Sequence, residues 1–136
     1  MAKFRGVEIV KEVRKALDRG QAQFVTTTQS KLSAGSPVDT GRLASSWFVG
    51  KDNPDRSTTP ERDEPGAVTI EKYPGKITFD GDWWVSNNLK YAERAAYDPG
   101  YVGRVGGGAG DWFSVVINNL NKDADRIFQR ELKKVK

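Results

Sequence analysis

The chain has 136 residues, with 22 Lys or Arg against 18 Asp or Glu, a formal charge of +4, 37% hydrophobic and 29% charged side chains. That length fits one domain with a modest core and much polar surface. Cysteine and histidine are both absent, which excludes disulfide frameworks, thiolate metal sites, thiol nucleophiles and Ser-His-Asp chemistry.

No window approaches the ~18 apolar residues of a membrane span, and the N-terminus runs into no apolar signal core. A soluble protein made inside the cell, with no membrane partner, is expected. Phe4, Val7, Val10, Val13, Leu17, Phe24 and Leu32 recur at helical spacing, predicting a long helix that stops at Ala34-Gly35-Ser36-Pro37. Gly20 is a weak point within it. Asp39 or Thr40 then reads as the N-cap of a short helix over about 40–46, with Leu43 and Trp47 on one face, followed by a strand through Trp47-Phe48-Val49.

Residues 50–66, with three Pro and two Gly, read as a mobile acidic loop. Ala67-Val68-Thr69-Ile70-Glu71 and Lys76-Ile77-Thr78-Phe79-Asp80 alternate apolar and polar residues around Tyr73-Pro74-Gly75, predicting a hairpin. Trp83-Trp84-Val85-Ser86-Asn87 reads as a further strand, and 89–97 as a short helix. A second mobile, glycine-rich loop over 98–110 leads to Asp111, which caps a last helix carrying Phe113, Val116, Ile117, Leu120, Ala124, Ile127, Phe128 and Leu132. The order predicts one α+β domain over 1–136, its N- and C-terminal helices packed on one face of a small, mainly antiparallel sheet.

Asp39-Thr40-Gly41 has the form of the aspartic-protease triplet, and Gly103-Arg104 imitates that family's later Gly-Arg pair. The flanking apolar strands of that fold are missing, so the triplet reads as a cap and turn. The run from Gly103 to Gly110 lacks the Gly-Lys-Ser/Thr of a phosphate loop and leads into Asp111. Asp52, Asp55, Asp63 and Glu64 do not have EF-hand spacing. No catalytic residue, cofactor or metal ligand is assigned. Both terminal helices are mildly basic, which gives a small nucleic-acid-binding module as the alternative reading; but charges of both signs interleave along them, as on ordinary exposed faces. Adjacent Trp83 and Trp84 point to opposite sheet faces, which makes Trp84, together with Arg104, a candidate interface residue.

The run Ser36-Pro37-Val38-Asp39-Thr40-Gly41-Arg42-Leu43-Ala44-Ser45-Ser46-Trp47 resembles a signature of small tailed-bacteriophage proteins of the head–tail junction. These are the siphophage neck or tail-completion proteins, similar to the lambda-like minor tail protein Z group. Val85-Ser86-Asn87-Asn88-Leu89-Lys90-Tyr91-Ala92 resembles a second family stretch, after which Ala96 and Asp98 stand where Glu and Gly are usual. The motif residues are thus Pro37, Val38, Asp39, Thr40, Gly41, Arg42, Leu43, Ser46, Asn87, Tyr91 and Ala92, in structural or interface roles.

The resemblance implies a non-enzymatic virion protein, made in the host cytoplasm and located in the tail or neck. It implies a ring homo-oligomer, commonly a hexamer, that completes or caps the tail tube. Its partners would be the tail tube or tail terminator protein on one side and the head connector or stopper protein on the other. DNA would pass through the lumen without specific binding.

Overall fold

The computed structural model describes residues 6–98, 100, 101, 103, 106 and 111–135. Phe4, Arg104 and the greater part of the 98–110 stretch lie outside them. Helix α1 spans Gly6–Gly35, α2 Arg42–Ser45, strand β1 Trp47–Lys51, β2 Trp83–Asn87, α3 Ala92–Tyr97 and α4 Trp112–Leu132. No helix among the described residues is long and apolar enough to cross a membrane.

β1 and β2 pair antiparallel, from Trp47 opposite Asn87 to Lys51 opposite Trp83. A two-stranded ribbon is marginal by itself in water, and here α1 supports it. The side-chain amide of buried Gln29 donates to the backbone oxygens of Trp47 (2.8 Å) and Glu71 (2.9 Å). The α+β arrangement expected from the sequence, two long helices on a small antiparallel sheet, is the one the chain adopts.

α1 and α4 run antiparallel along each other. Trp112 lies under Gly35, and the Phe128 ring lies so close to Gly20 that a Cβ there would sit 2.5 Å from the ring. Gly20 is therefore a seat for an aromatic ring and not a defect in the helix. Leu32, Trp47 and Trp112 form one buried cluster, with the two indoles edge to face at 6.5 Å. Leu43, Leu89 and Ala95 form a second, flanked by Tyr91, Ala92 and Tyr101.

Two ionic clasps join the helices on their polar flank. Lys31 reaches both carboxylate oxygens of buried Asp123 at 2.7–2.8 Å. Glu131, with a side chain only 1% exposed, accepts from Arg19 Nε (2.9 Å), Gln23 Nε2 (2.7 Å) and Lys134 Nζ (3.0 Å). Those three hydrogen bonds, Arg19's first, hold its carboxyl down to about 2.

The structure departs from the expected hairpin over 67–80. These residues form no strand, and their backbone is held by helix side chains in place of a ladder. Thr69 N–H donates to Ser45 Oγ (3.1 Å), and Phe79 N–H to Asp18 Oδ1 (2.9 Å). The sheet consequently has two strands. Leu43 and Trp47 do not share a helix face either: α2 ends at Ser45, and the two side chains enter different clusters.

Candidate functional site

The first motif stretch, 36–47, lies where α1, α2, β1 and the 50–66 loop meet, and the second, 85–92, runs from β2 into α3. As α1 ends, Ser36 Oγ donates back to Leu32 O (2.6 Å) and accepts from the Trp47 indole N–H (2.9 Å). Ser33 Oγ donates to Ala44 O at 2.7 Å. Ser36 and Pro37 are fully buried, so the chain reverses inside the protein with its polar groups paired. Val38 then makes an isolated antiparallel bridge to Gly106, its N–H 2.7 Å from Gly106 O.

At Gly41 the backbone takes φ +90°, and a Cβ there would meet Gly66 O at 2.9 Å. Left-handed φ and a close backbone approach both call for glycine. Gly41 also occupies the N-cap position of α2, with no side-chain capping hydrogen bond. Neither Asp39 nor Thr40 is the cap expected from the sequence. The Thr40 hydroxyl accepts from Arg42 N–H at 3.3 Å, an interaction within the turn.

The 50–66 loop is fastened to this turn. Gly66 N–H and Arg62 Nη1 donate to Thr40 O (2.9 and 3.3 Å), and Arg62 Nη1 also to Ala67 O (2.8 Å). Arg42 Nε donates to Thr59 O at 3.0 Å, and the Ser46 and Thr59 hydroxyls pair at 2.6 Å. Further along, Asn88 Nδ2 and Ser86 Oγ donate to Asp55 O at 2.6 and 3.1 Å. Across the sheet, Asn87 Nδ2 donates to Leu43 O at 2.9 Å while its oxygen accepts from Leu89 N–H at 3.2 Å. Asn87 thereby joins the two motif stretches directly.

Asp39, Thr40, Arg42, Arg62, Tyr91 and Tyr101 line a polar recess of about 330 Å³, with Glu61 and Asp63 at its edge. Tyr91 and Tyr101 stack at 6.4 Å and 13°, and the Arg94 guanidinium lies 5.7 Å from the Tyr101 ring. Burial, above all, pushes both phenols upward; Tyr101 adds to the shift of Tyr91, and Asp39 raises both. Both phenols therefore stay protonated at neutral pH. Arg42 and Arg62 are tied to backbone carbonyls, so they brace the recess. Among the described residues, no group of three acidic side chains is placed to hold a metal.

Ala92 starts α3, its N–H bonded to Leu89 O at 3.0 Å. Trp84 is 45% exposed, while Trp83 is half-buried and donates its indole N–H to Thr78 O at 2.8 Å. The opposite-face expectation holds for that pair. Arg104 lies outside the described residues. Sequence reasoning missed Arg62, Thr59 and Gln29, since a lone polar residue in an aperiodic or helical stretch carries no signal of its distant partner. Comparison of the chain with protein-family models, curated proteins and solved structures gives no match.

Proposed function

We propose that this chain is a structural protein of a tailed-bacteriophage virion, a ring subunit that completes or caps the tail tube and joins it to the head connector. One observation carries the reading. The run from Ser36 to Trp47, by which the chain resembles neck and tail-completion proteins, is occupied in internal fastening of α1, α2, β1 and the 50–66 loop. A motif of that kind specifies a rigid body for assembly. The protein's neighbours would be copies of itself, the tail tube or tail terminator, and the connector or stopper, with DNA crossing the lumen.

Negative-stain imaging of lysates from phage with this reading frame disrupted tests the proposal. Full heads beside finished, unjoined tails are expected. Normal virions would overturn it.

A further inference from the structure

The two long helices are unequal, and the difference leaves one end uncovered. α4 tracks α1 from Gly35 back to Arg19, where Glu131 closes the pair, and ends at Leu132. α1 continues beyond that point through residues 6–15, about 15 Å of helix at 1.5 Å per residue. Val7, Ile9 and Val10 on this arm are 69%, 47% and 55% exposed. Helical turns in proteins draw most of their stability from tertiary burial, and clustered exposed aliphatics mark a contact surface.

Farther along α1 lies an open apolar cleft of about 270 Å³, walled by Phe24 and Thr28 of α1, Phe113 and Ile117 of α4, and Trp83 and Val85 of β2. It falls just below the ~300–1,000 Å³ of ordinary small-molecule pockets, a size suited to side chains. Positions 10, 17, 21, 24 and 28 keep helical spacing, so arm and cleft share one face of α1. Because α1 is a single unbroken helix that itself walls the cleft, an arm cannot enter its own cleft.

Charge matches as well. On the arm, exposed Lys11 and Arg14 flank the Val7/Val10 face at helical spacing, whereas exposed Glu8 and Glu12 fall on the opposite side, Glu12 paired with Lys15 at 3.9 Å. The cleft edge at Trp83 carries the turn Asp80-Gly81-Asp82, bound through the Trp83 indole N–H to Asp80 O (3.1 Å) and through Asp82 N–H to Asp52 (3.0 Å); with Lys51 over the Trp83 ring at 5.8 Å, these groups set three carboxylates against one cation.

We propose that the α1 arm of one copy docks in the α1–α4–β2 cleft of the next, Val7 and Val10 against Ile117 and Trp83. Each copy then gives one arm and receives one, a head-to-tail contact that closes into a ring when the rotation permits. The contact rests on the ring reading above and supplies its lateral interface.

The chain has no cysteine, so single-cysteine variants can be cross-linked cleanly. Val10→Cys and Ile117→Cys proteins, mixed and treated with a short bismaleimide, should give a heterodimer in about tenfold excess over the control mixture of Val10→Cys with Val115→Cys, an exposed α4 position outside the cleft. Val7→Asp/Val10→Asp should abolish that product and raise the dissociation concentration by about tenfold or more, with helical circular dichroism unchanged. Equal yields from the two mixtures would overturn the contact. An oligomer that survives Val7→Asp/Val10→Asp without a 10–117 cross-link would overturn the arm and leave the ring reading standing. A chain monomeric at every concentration in sedimentation would also overturn the contact, while lysate imaging decides the virion role separately.

Discussion

At residue 41 a single hydrogen atom in place of a methyl group decides whether the motif turn closes. With φ at +90° and Gly66 O where a Cβ would stand, Gly41→Ala should cost roughly 1–3 kcal/mol and lower the thermal midpoint by several degrees. Asp39→Ala, which removes an exposed carboxylate and no cap, should cost less, within the ~0–1 kcal/mol of surface charge contacts. Thermal unfolding of the two variants reads the order directly. Glu131 makes a pH-dependent contribution. Its folded carboxyl titrates at about 2 against an ordinary 4.5, so the unfolded chain binds more protons between those values. The stabilisation is complete above about 4.5 and disappears as pH falls toward 2. In acid titrations followed by circular dichroism, Glu131→Gln should flatten the stability profile within that window and leave its slope above it unchanged.

At the scale of elements, the two long helices, both strands and the short helices follow from spacing and punctuation in the sequence. Apolar residues at helical intervals and the Gly35-Ser36-Pro37 stop leave little choice for α1. The 67–80 segment shows the limit of such reading. Alternation reports an extended chain with one buried side, but not who pairs with its backbone; here Ser45 and Asp18 take that place. The candidate site was legible through its motif, whereas its bracing by Thr59, Arg62 and Gly66 was not, because those residues sit in an aperiodic polar stretch. The helix pair has its own test. Phe128 packs into the space above Gly20 and meets Phe24 and Phe79 edge to face at 6.4 and 6.2 Å. Gly20→Val should push that ring outward at about 1–3 kcal/mol, seen as a lowered denaturant midpoint. In the loop, limited trypsin digestion should cut after exposed Arg56 before half-buried Arg62, whose guanidinium is bound to Thr40 and Ala67.

For the whole molecule, the charge of +4 is less available than the number implies. Arg19, Lys31, Arg126 and Lys134 face Glu131 or Asp123 within the protein. Duplex DNA binding should therefore be weak, with a log–log salt slope below about 2 in magnitude, corresponding to about two phosphates at most. A steep slope would favour the nucleic-acid-binding alternative.

The pairing of α1 with α4 also sets a clock. In sequence, Arg19 and Glu131 are 112 residues apart, so during synthesis the face of α1 that meets α4 stays unpaired until α4 leaves the ribosome, even though β1 and α2 can pack on α1 earlier. At roughly 5–20 residues per second, that wait is on the order of 5–20 s. Throughout it, the α1 face that later meets α4 is open to chaperones and to other chains on the same message. A chain cut short before α4 lacks both clasp acids, Asp123 and Glu131, and keeps that face exposed. Translation through α4 is thus the step that closes this face of α1.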